Sequence, residues 1–329
     1  MSIAWRLAQR GLSVAVYDAG PIGGESSWAG AGMLAPGGET ESVSAFARSL
    51  VESNALYPAF VQELTHESGL PIDYRQCGAF EFSDTEDQWR KLTARARMQR
   101  ELGIRSETVK PGELFYPDDA VVDPRDVVRA LRTACERRGV EIHEGEPVRA
   151  IRAAGGAIAE PQPAASAILA AGAWSSSIPI FVDGEQRPLV KAIPVRGHLV
   201  SYQLEKEAAG PVLRNGSTYI VQRASGLTVG GSTHEHVGFD RGLDMAIVAD
   251  IERRLAGLLP RLAGVPRVSA WLGFRPFTEN GEAQTGRLGD SPVYVAYGHY
   301  RNGILLAPWI ANLIANLQTG STSPSARRR

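Results

Sequence analysis

The first eighteen residues constrain the fold more than any other segment of the chain. The apolar residues of the predicted helix over residues 2–10 share one face, and Gly11 stands where a C-cap glycine belongs. A short apolar strand over residues 12–17 follows and leads into Asp18. A helix, a glycine turn, a strand and an acid form the second half of a βαβ nucleotide-binding unit, in which the acid binds an adenosine ribose. The segment therefore predicts an α/β domain that binds a dinucleotide.

The composition predicts a globular protein with more than one domain. Its 329 residues exceed what one hydrophobic core usually spans, so we expect two domains. Apolar residues make up 43% and charged residues 22%, which excludes a mainly disordered chain. The net charge of −1 creates no overall field that would favour nucleic acid, and no run of eighteen apolar residues predicts a membrane-spanning helix.

The two cysteines lack the Cys-x-x-Cys spacing and are too few for a disulfide framework, so we expect structural thiols in the cytoplasm. Two of the six histidines, His234 and His236, stand two residues apart, but no third ligand has a suitable spacing, so we predict no metal site. The polar tail over residues 321–329 is expected to be frayed.

Periodic patterns predict alternating helices and strands along the rest of the chain. Predicted helices cover residues 43–67, 87–102, 124–138, 245–259 and 304–319. Predicted strands cover residues 80–82, 140–143, 168–171, 189–202, 218–222, 227–231 and 293–296. Residues 150–166 are rich in Ala, Gly and Pro and have the pattern of a shortened hairpin.

Four separate segments have the character of a cofactor site. They are Asp18, the Gly- and Ala-rich loop around residues 29–33, the small-residue turn at 170–174 and the turn GHYRNG at 298–303. Bare backbone of this kind can lie flat against a ligand. The last turn directly precedes a predicted helix, whose free amides and partial positive charge suit the negative charge of a reduced flavin ring.

Seven long motifs in the chain resemble the FAD-dependent D-amino-acid oxidase (DAO) family, and within it the glycine oxidases of thiamine biosynthesis. They are AWRLAQRGLSVAVYDAGPIGGESSWAGAGMLAP, VDPRDVVRAL, ILAAGAWSSS, PVRGHLV, GGSTHEHVGFD, WLGFRPFTENG and GHYRNGILLAP. The resemblance spans almost the whole chain. It implies an α/β fold like that of p-hydroxybenzoate hydroxylase, with a discontinuous Rossmann-like FAD-binding domain and a substrate domain built on an antiparallel sheet. The implied FAD-binding domain covers residues 1–68, 126–190 and 268–329, and the substrate domain covers 69–125 and 191–267.

The resemblance also implies the residues that hold a non-covalent FAD. Asp18 would bind the ribose and Val148 the adenine end, and Ala171, Gly172 and Trp174 would line the cofactor. The flavin would contact the remaining positions, namely Ser27, Gly32, Met33, Gly298, Arg301, Asn302, Gly303 and Ile304.

On the substrate side, the resemblance places Arg275 opposite the carboxylate of a small amino acid, with Tyr219 and Arg301 adding a hydroxyl and a positive charge. A planar guanidinium suits bidentate binding of a carboxylate. The pocket would also include Met33, Ala35 and His234. Orientation of the Cα–H bond toward the flavin would allow hydride transfer to N5, giving an imine, and O2 would reoxidise the flavin to give H2O2. The resemblance further suggests a homo-oligomer.

Several departures from the family keep other functions open. The strand and the Gly-x-Gly-x-x-Gly turn that open a nucleotide-binding unit are not found before Ser2, and we expect them to be encoded directly upstream of Met1. Phe277 and Gln284 replace residues that are usually small or proline, and Asp18 replaces the more usual Glu. One alternative is a D-amino-acid or sarcosine dehydrogenase with an acceptor other than oxygen. The other is an inactive, truncated homologue that cannot hold FAD.

Overall fold

The computed structural model describes residues 1–206 and 210–320, so the predicted fraying of the tail lies outside the described residues. The described chain contains eight α-helices: α1 Ser2–Gln9, α2 Ser26–Ala29, α3 Pro36–Glu39, α4 Ala45–Ser68, α5 Glu86–Gln99, α6 Pro124–Arg137, α7 Met245–Leu258 and α8 Gly303–Thr319. No helix in this part of the chain is both long enough and apolar enough to cross a membrane.

The described residues also contain twenty strands. They are β1 Ala15–Asp18, β2 Met33–Leu34, β3 Tyr74–Arg75, β4 Ala79–Phe82, β5 Glu107–Lys110, β6 Glu113–Tyr116, β7 Ala120–Val122, β8 Glu141–Glu144, β9 Ile151–Ala154, β10 Ala157–Glu160, β11 Ala167–Leu169, β12 Ile180–Val182, β13 Glu185–Arg187, β14 Ala192–Gln203, β15 Val212–Asn215, β16 Thr218–Gln222, β17 Leu227–Gly231, β18 Arg267–Thr278, β19 Gln284–Arg287 and β20 Val293–Tyr297.

The largest sheet has eight strands in the order β18-β14-β17-β16-β15-β4-β6-β5. Every pair in it is antiparallel except β15 with β4. Helix α7 packs against this sheet through Val248, Ile251 and Leu255, which are fully buried among residues such as Val200 and Ile220. Burial of one apolar helix face against a sheet is the usual way in which such a layer is stabilised. The sheet is the framework of the substrate side.

Smaller sheets build the other half of the molecule. β1 pairs in parallel with β8, and β11 pairs in parallel with β20, which carries β19 on its other side. The remaining two sheets have the orders β10-β9-β12-β13 and β2-β7-β3. Helices α1, α4, α6 and α8 contribute to one apolar core, in which Trp5 and Tyr57 are fully buried. This core supports the βα segments that carry the predicted cofactor residues.

The local signals in the sequence explain where several helices begin and end. Asp123 caps α6 by accepting a hydrogen bond from the amide of Arg125, and Pro124 occupies the first helical position. Ser44 caps α4, which ends at Gly69 in the left-handed conformation. The predicted strands 218–222 and 227–231 are confirmed without change.

Some predicted boundaries were wrong. The first strand starts at residue 15 instead of 12 and extends through residue 18. The predicted helix 87–102 ends at residue 99, where a 3₁₀ turn over residues 100–102 continues to Gly103. β14 starts at residue 192 instead of 189. The shortened hairpin of residues 150–166 forms as β9 and β10, so this part of the chain keeps its sheet.

The division into an FAD-binding and a substrate domain stays a proposal, and the pairing of β18 bears on one of its boundaries. A boundary between residues 267 and 268 would assign β18 to the FAD-binding domain. β18 is hydrogen-bonded to β14 from Arg267 to Thr278 within the eight-stranded sheet. Because a strand belongs with the sheet that satisfies its backbone, we place this boundary after residue 278.

Candidate functional site

Arg275 lies on β18 and reaches across the neighbouring strand β14 toward the end of β17. Its guanidinium donates hydrogen bonds to the carbonyl of Thr233 at 2.9 Å and to the hydroxyl of Ser232 at 2.7 Å. Both acceptors are uncharged, so these contacts orient the guanidinium, and within residues 1–206 and 210–320 Arg275 forms no ion pair with a carboxylate. Such a cation can bind the carboxylate of a ligand.

Gly197 on β14 makes this path possible. A β-carbon at position 197 would lie 2.3 Å from Nη1 of Arg275 and 2.6 Å from its Cζ. Any larger residue would therefore displace the guanidinium. The motif PVRGHLV contains this glycine, but no local pattern indicates its partner because the two strands are far apart along the chain.

Tyr219 lies on β16, directly opposite Gly231 of β17, and is buried. Its hydroxyl would lie 3.5 Å from a β-carbon at Gly231, so its ring points along the end of β17 that carries Ser232. Tyr219 also contributes to the electrostatic surroundings of Arg301. The sheet thus brings Tyr219 together with the two predicted arginines.

The turn GHYRNG connects β20 to α8 and is fixed against β18. Gly298 has a φ of +77°, and a β-carbon there would lie 2.4 Å from Cγ2 of Thr278. Tyr300 has a φ of +51°, which is rare for a residue with a side chain, and its amide donates to the carbonyl of Pro276 at 2.9 Å. Asn302 follows as the first cap residue of α8. Backbone strain of this kind is typical of functional sites.

Arg301 forms an ion pair with Glu39, with 2.8 Å between Nη2 and Oε1. Burial raises the pKa of Glu39, and the positive charges of Arg301, Arg214 and Arg275 act in the opposite direction. We hold that Glu39 is ionised at neutral pH, since an arginine lies within hydrogen-bond distance. Sequence reasoning missed Glu39; its only signal was an acid directly after a Gly-rich loop.

A buried network of charges continues behind Glu39. Arg214 contacts Asp119 at 2.7 Å and Glu81 at 3.3 Å, and Glu81 also pairs with Arg95 at 2.6 Å. Burial raises the pKa of Asp119 to about 6, although Arg214 opposes the shift. A β-carbon at Gly38 would lie 2.6 Å from Nη1 of Arg214, so the Gly-rich loop is held directly against this network.

Three side chains form a hydrogen-bonded series beside the two arginines. The hydroxyl of Tyr300 lies 2.6 Å from Nδ1 of His234, and Nε2 of His234 lies 3.0 Å from Nε2 of His236. Burial lowers the pKa of His234, and the positive charges of Arg275 and Arg301 and the neighbouring His236 contribute to the same shift. His234 is therefore neutral near pH 7. In the part of the chain that the structure describes, no group of three His, Cys, Asp or Glu side chains could hold a metal ion.

The predicted residues of the N-terminal segments differ in their surroundings. Asp18 ends β1 and accepts a hydrogen bond from the amide of Gly20 at 2.9 Å, and burial raises its pKa. Ser27 is exposed in α2, whereas Met33 pairs with Val121 in a short sheet. Their positions are consistent with ligand contact at Asp18 and Ser27.

Two residues of the Gly-rich loop have roles within the protein itself. Gly32 has a φ of +81°, and a β-carbon there would lie 1.9 Å from the carbonyl oxygen of Val122. Glycine is thus required at this position by the packing of the chain. Ala35 is buried and precedes α3.

The segment after β11 forms a 3₁₀ helix over residues 172–177. Ala171 precedes it, and Gly172 starts it with a φ of +55° and no other protein atom within 4 Å of a β-carbon. Trp174 stacks on Phe239 with ring centroids 4.6 Å apart, so at least one face of its ring is covered by the substrate side. Val148 packs against the core cluster formed by β9, β11 and β12.

His299 lies in the turn GHYRNG and is buried. Nε2 of its imidazole lies 3.0 Å from the hydroxyl of Thr285. Burial lowers the pKa of His299 to about 4. The side chain is neutral and links the turn to β19, a contact between distant segments that a local motif does not reveal.

Comparisons with known proteins agree on one family. Residues 1–317 match the DAO family, described as FAD dependent oxidoreductase. The chain is 30% identical to the glycine oxidase of Bacillus subtilis (strain 168), with 96% of this chain and 89% of the relative covered. It is 31% identical to the bifunctional protein ThiO/ThiG of Synechocystis sp. (strain ATCC 27184 / PCC 6803 / Kazusa), with coverage of 96% and 49%.

The fold agrees with the same family. The crystal structure of glycine oxidase from Geobacillus kaustophilus superposes on this chain with a TM-score of 0.90 and 26% identity, covering 98% of this chain and 92% of the other. The predicted fold class, a mixed α/β architecture with FAD and substrate domains, is confirmed. The chain belongs to the DAO family of FAD-dependent oxidoreductases.

Proposed function

We propose that this protein oxidises glycine or another small amino acid with FAD as a non-covalent cofactor, giving an imine and H2O2. The observation that carries the proposal is Arg275, a guanidinium oriented by Ser232 and Thr233 that has no acidic hydrogen-bond partner among the described residues. Membership of the FAD-dependent family implies the cofactor. The identity of the amino acid is a proposal based on similarity to proteins named glycine oxidases.

Residues of this chain fit the chemical groups of FAD. Asp18 supplies a carboxylate acceptor at the end of a parallel strand, as a ribose requires. The first-turn amides of α8, from Gly303 to Leu305, have no partner within the helix and suit a flavin oxygen. Beyond the adjoining backbone, no described atom lies within 4 Å of a β-carbon built at Gly172 or Gly303, so a flat ring can approach the backbone there. FAD, when bound there, would accept a hydride from the substrate and pass the electrons to O2.

The contribution of the protein is mainly orientation. Arg275 would bind the substrate carboxylate with two parallel hydrogen bonds, which fix its plane as well as its position. Tyr219 would donate its hydroxyl to the same carboxylate. Arg301 would contribute less positive charge than Arg275, because Glu39 compensates it.

The preference for a small substrate follows from the walls of the pocket. Met33 and Ala35 come from the Gly-rich loop, which is held against Arg214 at Gly38 and against Val122 at Gly32. Because these contacts restrict movement of the loop, we propose that a long side chain on the substrate is excluded. Supply of an imine for thiamine thiazole synthesis, a cytoplasmic location and a homo-oligomeric state are further proposals that rest on the resemblance.

A substrate panel tests the proposed function. FAD-loaded protein is mixed with glycine, sarcosine, D-alanine or D-proline, and H2O2 is measured in air and, separately, dye reduction with an artificial electron acceptor. We expect peroxide with at least one of the four. Dye reduction without peroxide would indicate a dehydrogenase, and no reduction of FAD by any amino acid would contradict the proposal.

A further inference from the structure

The series Tyr300, His234 and His236 extends from the candidate substrate site to the protein surface. The two contacts that connect it are 2.6 Å and 3.0 Å long, which are ordinary hydrogen-bond lengths. Both imidazoles are exposed, whereas the ring of Tyr300 packs edge-on against Phe277. The histidine end of the series is therefore open to water, whereas the Tyr300 end is partly buried.

The hydrogen-bond donors and acceptors of the series can be assigned in one consistent order. Burial raises the pKa of Tyr300, so its hydroxyl keeps its proton and donates it to Nδ1 of His234. His234 is neutral and so carries its own proton on Nε2, which donates to Nε2 of His236. His236 is then left with its proton on Nδ1. Tyr300 thus donates to His234 and His234 donates to His236, and a proton relay requires such a series of donors that all point the same way.

The inner end of the series lies among the charged groups of the site. The groups that act on Tyr300 or His234 are Arg275, Arg301, Glu39 and His236. The two arginines are the cations that we propose for the substrate carboxylate. The amine of an amino acid is bonded to the same Cα as its carboxylate, so it must lie within a few ångströms of these cations. Partial burial and the same cations keep His234 neutral, which lets it accept a proton on one nitrogen while it donates from the other.

We propose that Tyr300, His234 and His236 form a relay that transfers a proton from the substrate ammonium group to water, an inference that rests on the proposed function. An N–H bond of the ammonium breaks as its proton moves to the oxygen of Tyr300. The proton of Tyr300 moves to Nδ1 of His234, the Nε2 proton of His234 moves to His236, and the Nδ1 proton of His236 moves to water. No electron is transferred, and the products are a neutral amine and one hydrated proton. The relay resets when the imidazoles exchange their ring protons with water.

This step has a reason in the chemistry of the oxidation. Hydride loss from Cα leaves an electron-deficient carbon, which only the lone pair of a neutral amine can stabilise. Amino acids enter with a charged ammonium group near pH 7, because an amine in water has a pKa well above 7. Two nearby arginines already favour loss of the ammonium proton electrostatically. The relay would supply the path for that proton.

The first test detects the hydrogen bonds among Tyr300, His234 and His236 in protein that is not turning over substrate. The six histidines of the chain are labelled with ¹⁵N, and the protonation of each imidazole is measured by NMR across pH. We expect His234 in the Nε2–H form with a pKa below that of an ordinary histidine. Tyr300→Phe should shift the Nδ1 signal of His234 and, through the hydrogen bond between the two rings, the Nε2 signal of His236. Imidazole signals of both histidines that are unchanged in Tyr300→Phe would overturn the proposal.

The second test follows the proton during turnover. In FAD-loaded protein, His236→Ala should slow proton release, measured with a pH indicator after rapid mixing with substrate, by roughly 10²-fold. It should move the acidic limb of kcat/KM to higher pH, and added imidazole should restore the rate. His66→Ala, a change at an exposed histidine on α4, is the matched control and should have no effect.

The outcomes separate the relay from the proposed function. Proton release and a pH profile in His236→Ala equal to those of the unaltered protein would overturn the relay while leaving amino-acid oxidation intact. If no amino acid reduces FAD in the unaltered protein, there is no substrate proton to transfer, and both proposals are overturned. Because His236 is exposed, we expect its substitution to leave the fold unchanged, so this variant decides the question if Tyr300→Phe does not fold.

Discussion

The substrate side and the cofactor side of the site are held in place differently. On the substrate side, Arg275, Arg301 and His234 each have side-chain or carbonyl partners within the chain. On the cofactor side, Gly172 and Gly303 present backbone with no other protein atom within 4 Å of a β-carbon. Substitutions on the substrate side should therefore change the chemistry and leave cofactor binding intact. Those on the cofactor side act through backbone conformation and the stability of the helices behind it.

Replacement of Arg275 by alanine should give the largest effect of any single change. Arg275 is partly buried, and the loss of an oriented cation of this kind opposite a carboxylate costs roughly 2–5 kcal/mol, which corresponds to about 30- to 4,000-fold in kcat/KM. The visible spectrum of bound flavin should be unchanged. Steady-state kinetics and the spectrum of the purified variant measure both quantities.

Arg275→Lys is the matched variant for this prediction. Lysine keeps the charge and loses the planar pair of donors, so its activity should lie between those of the unaltered protein and Arg275→Ala. Unchanged kinetics in Arg275→Ala, or loss of flavin together with activity, would refute the assignment of Arg275 to the substrate side alone.

Gly197→Ala should reduce activity through Arg275, without removing any substrate contact. The added methyl group would lie 2.3 Å from Nη1 of Arg275 and must displace the guanidinium. A misplacement of about 1 Å in a catalytic site can cost about 10²-fold in rate, and we expect a loss of this size in kcat/KM. Gly257→Ala in α7, where no other atom lies within 4 Å, is the control and should be active. Full activity in Gly197→Ala would show that catalysis does not depend on the observed position of the Arg275 guanidinium.

Glu67→Gln tests the helices on the cofactor side by their stability. Glu67 on α4 accepts hydrogen bonds from Arg138 at 2.6 Å and Trp5 at 2.8 Å, and these contacts, Arg138 first, lower its pKa to about 2. The pKa is lower in the folded than in the unfolded state, so the stabilisation is present above about pH 4.5 and is lost as the pH falls toward 2.

We expect Glu67→Gln to lower the free energy of unfolding by about 2 kcal/mol at neutral pH, and the difference to shrink in acid. Urea unfolding at several pH values measures it. Glu63→Gln, one turn earlier at a more exposed ion pair with Arg6, should cost less than about 1 kcal/mol. A loss for Glu67→Gln that does not depend on pH would argue against the ionised carboxylate as its cause.

Glu39→Gln should have the smallest effect, and in the opposite direction. Removing the negative charge leaves Arg301 uncompensated, so an unreactive carboxylate such as acetate should bind more tightly, by up to about tenfold. Because burial raises the pKa of Glu39, acetate should also bind the unaltered protein more tightly as the pH falls and Glu39 takes up a proton. That pH dependence should disappear in Glu39→Gln. Weaker binding would mean that Glu39 positions Arg301 more than it compensates its charge.

The two sides also differ in how far the sequence predicts them. The segment from α1 to Asp18 and the helix α6 could be predicted from the sequence. A few neighbouring residues determine these elements through turn and capping interactions. The sequence did not show to which sheet β18 belongs, since its pairing with β14 joins residues 65 to 86 positions apart and leaves no local signal. Resemblance named Arg275, Tyr219 and Arg301, and the structure brings them together.

The residues that the sequence did not reveal act through partners from distant segments. Glu39 pairs with Arg301, Gly197 makes room for Arg275, and Tyr300 contacts His234, each across at least 60 residues. Burial and pairing of such groups depend on the completed fold. Their chemistry can therefore be argued only once the sheet and the turn are in place.

The most direct test of the account compares an amino acid with its amide. FAD-loaded protein is mixed without oxygen with glycine and with glycinamide, and the loss of visible flavin absorbance is followed. If another member of the panel is the better substrate, that amino acid and its amide are used. The account predicts rapid reduction by the amino acid and little or none by the amide, since Arg275 needs a carboxylate to orient the Cα–H bond. Equal reduction by both, or by neither, would contradict it.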